Sequence, residues 1–218
     1  MSIFFHRFRS EFVKRRKFIE YSFLIVNKRQ YSIREMGKSA LILLAPGAEE
    51  MEFVIAADVL RRCGVEVTVA GLNGSDVVKC SRDVLIKPDV ALADVLDKTF
   101  DAVVLPGGLG GAKALAESKV VGDLLQKQEK SGRICAAICA GPTAFLSHSI
   151  GLGKKLTSYP SVKGELAGKY TYVEENVVVD GNIVTSRGPG TAFDFGLKLG
   201  ELLVGAEVSK DAASKMLL

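Results

Sequence analysis

The segment Ile134-Cys135-Ala136-Ala137-Ile138-Cys139-Ala140-Gly141-Pro142 passes from an apolar run through a turn of small residues to a proline. The run has the length and composition of a strand buried on both faces. Proline suits the first turn of a helix, because its missing N–H has no intrahelical partner there. Ala140 and Gly141 leave the backbone beside the sulfur open. The implied geometry is a strand-to-helix elbow that carries Cys139. Its sulfur would point at unpaired N–H groups and at the positive end of the helix dipole, and both favour thiolate. Taken alone, a small buried cysteine at a strand end would look no different. The weight of the argument comes from the neighbouring segments.

Upstream, Ala40-Leu41-Ile42-Leu43-Leu44-Ala45 is a continuous apolar run broken by Pro46-Gly47. A helix is expected from about Glu50 to Cys63, with Val54, Ile55, Val59 and Leu60 on one face, Arg61 and Arg62 in the last turn and Gly64 at its end. Val65 to Ala70 is the next strand. This strand–helix–strand order marks a βαβ unit and an α/β fold with a parallel sheet. Glu49 and Glu50 read as carboxylates favourably placed at a helix N-terminus. Glu52 sits far enough into the helix to project over the C-terminal edge of the sheet. Cys139 must lie on that same edge, where open α/β folds bind ligands. Asn73-Gly74 signals a turn. Val77 to Cys80 and Val84 to Ile86 then form a short hairpin around Ser81-Arg82-Asp83, either a plain surface hairpin or a dimer surface or lid. Asp89 is expected to cap a short helix through Leu96.

A further buried strand, Ala102 to Leu105, ends in Pro106-Gly107-Gly108. Two glycines free the backbone to aim N–H groups at a reacting oxygen, as in an oxyanion hole, although a plain glycine turn has the same sequence. Ser118 precedes a helix from Lys119 to Lys130 that Gly132 stops. Three loops thus bring an acid or base (Glu52), a donor pair (Gly107-Gly108) and a nucleophile (Cys139) to one edge. Near the C-terminus, Tyr170 to Val173, Val177 to Val179 and Ile183 to Thr185 read as strands, with Asp180-Gly181-Asn182 as a hairpin turn. Arg187 lies in the loop before a helix from Thr191 to Val204. It either reaches the edge that holds Cys139, where a cation favours thiolate, or pairs locally. Val208 to Met216 forms a last short helix. His148, past the elbow, reads as a surface residue, and Cys63 and Cys135 read as packing.

The whole chain has 218 residues, 48% of them hydrophobic, and 22 glycines, enough for one sizeable core with many tight turns. The net charge of +4 is unevenly spread. Residues 1–36 hold nine Lys and Arg against three Glu, whereas the remainder holds 20 basic and 22 acidic residues. Residues 37–218 therefore offer no electrostatic case for nucleic acid. The first 36 residues interleave Phe4, Phe5, Phe8 and Phe12 with Arg7, Arg9, Lys14, Arg15 and Arg16. Such an Arg-rich amphipathic start reads as a mitochondrial presequence, or as a basic leader bypassed by a start at Met36. The protein is accordingly expected in the cytoplasm, the mitochondrion or both, with the nucleus also open. Cys63, Cys80, Cys135 and Cys139 form no C-x-x-C pair and have no paired histidines, so neither zinc nor a disulfide framework is expected, and a reducing compartment fits better.

Four motifs in order carry a family resemblance. They are Ala45-Pro46-Gly47-Ala48-Glu49-Glu50-Met51-Glu52, Leu105-Pro106-Gly107-Gly108, Ala136 to Thr143, and Thr185-Ser186-Arg187-Gly188-Pro189-Gly190-Thr191. From about Lys38 to Glu207 the chain resembles the DJ-one family, the parkinsonism-associated deglycase group of the ThiJ/PfpI superfamily. The resemblance implies a flavodoxin-like three-layer α/β/α sandwich with a mostly parallel sheet, forming a homodimer without cofactor or metal. Cys139 then matches the family's oxidisable nucleophile and Glu52 the acid that hydrogen-bonds it. Gly108 and Ala140 match the backbone N–H donors, and Arg82, with Cys80 close by, matches a residue of the dimer interface. The implied activities are cofactor-free glyoxalase action on methylglyoxal and deglycation of its protein adducts, within protection against oxidative stress. Redox-sensor and chaperone roles are the alternative. Two departures stand out. Tyr159 replaces a histidine before Pro160, and a phenol is a poor general base near neutral pH. Ala140 follows the cysteine where protease-type relatives carry histidine, which argues against a Cys–His hydrolase.

Overall fold

An interior strand of the sheet is β1 (Ser39–Leu44), whose residues Ala40 to Leu44 have no exposed surface at all. Its side chains alternate between two cores: Ala40, Ile42 and Leu44 enter one, Leu41 and Leu43 the other. A strand with apolar neighbours on both faces must be apolar throughout, which is why the segment shows no polar alternation. The computed structural model describes residues 37–218, and the expectations for residues 1–36 lie outside them.

From β1 the chain runs through α1 (Glu50–Arg62) to β2 (Glu66–Gly71), then into a small hairpin of β3 (Val78–Lys79) and β4 (Leu85–Ile86). After β5 (Val90–Ala91) and a 3₁₀ turn, Leu92–Val95, come β6 (Ala102–Leu105), α2 (Leu109–Glu117) and α3 (Lys119–Lys130). The elbow segment supplies β7 (Ile134–Ile138) and α4 (Pro142–Ser147). A short excursion follows, with β8 (Lys155–Leu156), α5 (Lys163–Leu166) and β9 (Thr171–Tyr172). The chain closes with β10 (Val177–Asp180), β11 (Ile183–Ser186), α6 (Ala192–Val204) and α7 (Ala206–Lys215).

Seven strands make the main sheet in the order β10-β11-β7-β6-β1-β2-β5, and only β10 runs antiparallel to its neighbour. The long parallel strands alone, β2-β1-β6-β7-β11, follow the flavodoxin order, in which the chain reverses direction between its first and third strands. Here that switch point lies between β1 and β6. Helices α1 and α6 cover one face and α2, α3 and α4 the other, giving the expected three layers.

Several local expectations change. Val54 is half-exposed while Phe53, Ala56 and Ala57 are buried, so the apolar stripe of α1 is rotated from the Val54–Ile55 face. Asp89 caps no helix; its carboxylate accepts the Val69 N–H and holds the start of β5 beside β2. Thr171–Tyr172 leaves the main sheet and pairs in parallel with Lys155–Leu156. His148 is half-buried rather than on the surface, with its Nε2 3.0 Å from the Leu115 carbonyl oxygen. The final helix, which the family resemblance placed beside the active edge, packs through Ser209 against α6, near Cys63 and so at the far end of α1 from Glu52.

Candidate active site

The loops after β1, β6 and β7 meet at the switch point. Cys139 follows β7 directly and adopts φ +63°, the left-handed region that a residue with a Cβ enters at a cost of about 1–3 kcal/mol. The surroundings hold it there: its N–H donates to the Ser186 carbonyl at 3.0 Å, and its carbonyl accepts the Tyr159 N–H at 2.8 Å. The bend turns the sulfur out of the strand toward a cleft. The helix behind it, α4, spans only six residues, so its macrodipole is small. The sulfur is stabilised instead by two specific donors, the backbone N–H groups of Gly108 and Ala140.

Glu52 comes from the first turn of α1 and is wholly enclosed. One carboxyl oxygen accepts the Gly107 N–H at 2.8 Å. The other has no hydrogen-bond partner, and the carboxyl as a whole lies against Cys139, each group influencing the other's ionisation. Space explains the glycines here. A Cβ on Gly107 would lie 2.5 Å from both the Cys139 Cβ and the Glu52 carboxylate. Gly108 sits at φ +82°, and a Cβ there would strike the Gly47 carbonyl.

Burial pushes Glu52 up to about 7. Burial, reinforced by the Glu52 charge, pushes the Cys139 thiol up to about 12. The pair therefore sheds one proton near neutrality and strongly resists losing a second. Which group keeps the single charge follows from the surroundings. The carboxylate is enclosed with one N–H donor, whereas the sulfur borders the cleft with two N–H donors and, when Glu52 is protonated, its O–H as a third. The geometry favours thiolate beside a protonated Glu52. The low thiol pKa expected from helix position alone thus depends on Glu52 keeping its proton.

The cleft has a volume of about 530 Å³, and its walls include Glu49, Arg82, Leu109 and Tyr159. Tyr159 is half-exposed beside Gly188, at the place where the sequence departs from a histidine. Glu49 and Glu50 do more than balance a helix end. The Ser81 hydroxyl lies 2.8 Å from a carboxylate oxygen of each, and Glu50 also accepts the Arg82 N–H at 2.8 Å. Against the cost of burial, these bonds and its own backbone N–H hold Glu50 below the ordinary carboxylate range. They tie the turn of the β3–β4 hairpin to α1, which carries Arg82 into the cleft wall. Cys80 is buried behind this turn, its thiol pushed up to about 11 by burial and by Glu50 and Glu49.

Arg187 is not brought to the cysteine. It is absent from the cleft walls, and its charge acts on Glu174 instead. Its backbone N–H is anchored to the Thr191 hydroxyl at 3.2 Å. Leu109 and helix α2, which begin immediately after Gly108, were not legible as part of the site, although the run Gly107 to Gly111 marked a close approach of backbone. Among the described residues no cluster of His, Cys, Asp or Glu is arranged to hold a metal ion.

The pattern of the DJ-1/PfpI family matches residues 38–202. The chain belongs to the DJ-1/PfpI family. Similar family members include Protein dj-1beta of Drosophila melanogaster, 60% identical over 84% of this chain and 98% of that protein. The glutathione-independent glyoxalase DJR-1.2 of Caenorhabditis elegans is 49% identical over 78% of this chain and 91% of its own length. The crystal structure of Drosophila DJ-1beta superposes with a TM-score of 0.83, covering 84% of this chain and 99% of that one. Cys139, Glu52 and the Gly107-Gly108 turn lie together at the sheet edge.

Proposed function

We propose that the protein is a cysteine-dependent, glutathione-independent glyoxalase of the oxidative-stress-protective DJ-1 type, with deglycase action on methylglyoxal adducts as an extension of the same chemistry. The observation that carries this reading is the enclosed Glu52 carboxyl, one oxygen of which has no hydrogen-bond partner, set beside Cys139. Such an acid can supply and take a proton at the atom attached to that sulfur.

The chemistry closes with protein groups and water. The Cys139 thiolate adds to the aldehyde carbon of methylglyoxal and forms a hemithioacetal. The Gly108 and Ala140 N–H groups border the place where its oxygen carries charge. After Glu52 gives up its proton to that oxygen, its carboxylate takes the hydrogen from the sulfur-bearing carbon as a proton and returns it to the neighbouring carbon, while the proton on the first oxygen passes to the oxygen of that neighbouring carbon. The product is a thioester of lactate, and water releases lactate and the thiol. Carbon is oxidised at one centre and reduced at the next, so no external oxidant or cofactor enters. Tyr159 serves as wall rather than base. The DJR-1.2 name, glutathione-independent glyoxalase, supports this class of substrate.

A redox-sensor reading rests on the same convergence of donors on sulfur. Three donors that stabilise a thiolate also suit a sulfinate, the oxidised form they would hold against further reaction. Glu52→Gln separates the two. The glyoxalase reading expects lactate formation to vanish while peroxide still adds oxygen to Cys139, seen by mass spectrometry. Full turnover in Glu52→Gln overturns the proton-transfer role. The exposed apolar side chains Met51 and Val54 on α1, with Val84 and Leu85 on the adjoining hairpin, support a homodimer through this face.

A further inference from the structure

On the face of the sheet opposite α1, a hollow of about 330 Å³ opens between α2, α4 and α5. Its floor is apolar, made by Ala112, Leu146 and Val162. Its rim is charged. Lys113 lies 3.8 Å from Glu117, and Glu165 has no ion-pair partner among the described residues, so these three leave one negative charge in excess. Two residues, Leu109 and Ala140, line both this hollow and the cleft over Cys139. Ala140 directly follows the nucleophile. Leu109 borders both spaces with 70% of its surface exposed.

A methylglyoxal adduct has only a few heavy atoms, small against a cleft of about 530 Å³, and gives the neighbouring hollow no role. A ligand that needs both spaces is a chain longer than the reacting group. In an extended polypeptide, side chains two positions apart face the same way and stand roughly 7 Å apart, so one can enter the cleft while the next enters the hollow. Resting on the reading of Cys139 as nucleophile, we propose that this hollow is a subsite for polypeptide-borne substrates. It accepts the side chain two positions from the modified residue, and its acidic rim selects lysine or arginine there. The homodimer face proposed above lies on the opposite side of the sheet and leaves the hollow open.

Affinity labelling of the full chain tests this without relying on turnover. Short peptides carry a bromoacetyl group on a diaminopropionate side chain, with arginine or glutamate two positions away. The Cys139 thiolate displaces bromide and forms a thioether. The arginine peptide is expected to label Cys139 about two- to fivefold faster than the glutamate peptide, the range of an exposed ion pair, and the difference is expected to shrink with salt. Glu165→Lys should reverse that order and leave the rate with bromoacetamide unchanged. Ser147→Trp, which fills the mouth of the hollow from an exposed position, should bring both peptides to the bromoacetamide rate. Equal rates for the two peptides, or an order indifferent to Glu165→Lys, overturns the subsite. Failure of bromoacetamide itself to label Cys139 overturns the nucleophile reading beneath it, and the subsite falls with it.

Discussion

Glu52 is the residue on which both chemistry and stability turn. Its pKa in the folded protein, about 7, lies above the ordinary 4.5 because burial penalises the carboxylate. The native pair therefore keeps a proton that the unfolded chain has already released. The contribution of this group to stability is greatest below about pH 4.5 and is lost as the pH rises through about 7, by about 3 kcal/mol. Glu52→Gln keeps an acceptor for the Gly107 N–H and a donor for Cys139 but cannot ionise. Urea unfolding at about pH 5 and pH 8 should show a wild-type decline that this variant lacks, with the variant the more stable at the higher pH. An identical decline in both would place the titration elsewhere. The sulfur gives the complementary readout. Because a protonated Glu52 and the two backbone N–H donors favour the charge on Cys139, the alkylation rate should titrate below the value of about 8.5 for a free cysteine. An ordinary thiol profile would remove the argument for a thiolate held by Gly108, Ala140 and Glu52.

At the scale of elements, what could be read depended on how strongly each segment constrained its own geometry. The run from Ala40 to Ala45 could be only a strand buried on both faces, and the Cys139 elbow could be read because small residues and Pro142 leave few alternatives. Helix α2 was missed because Gly108-Leu109-Gly110-Gly111 looks like a loop: glycine is a weak helix former. What makes it a helix is tertiary, since a Cβ on Gly111 would lie 2.8 Å from the Ala48 backbone. Strands β8 and β9 have two residues each, too few to show a period. For Arg187 the sequence left open a reach to the cysteine or a local pairing, because a loop has no period that fixes where a long side chain points. The cap of α3 was legible and is directly testable. The Ser118 hydroxyl accepts the Val121 N–H at 3.4 Å, and Ser118→Ala should cost about 1 kcal/mol in unfolding free energy. The Cys139 alkylation rate should not change, because α3 touches none of the cleft. A loss of reactivity without loss of stability would mean that the layers are coupled in a way this packing does not provide.

For the molecule as a whole, the sheet separates two kinds of surface. One side exposes Met51 and Val54 beside Val84 and Leu85, all from 46 to 66% exposed, on a helix whose other stripe is buried. Large apolar side chains gathered in this way mark an interaction surface. Val54→Glu is expected to shift the protein from dimer to monomer in sedimentation velocity, and a wild-type protein that already sediments as a monomer contradicts the homodimer. The other side carries the hollow beside the cleft, and the edge between them carries the chemistry. This division follows from topology: the switch point between β1 and β6 gathers three loops that are distant in sequence. The central claim is that Cys139, with Glu52, turns methylglyoxal into lactate without a thiol cofactor. The most direct measurement is lactate formation by the purified full chain without glutathione, beside Cys139→Ser. The account predicts steady turnover by the wild type and none by the folded variant. Lactate formed at equal rates by both, or by neither, contradicts it.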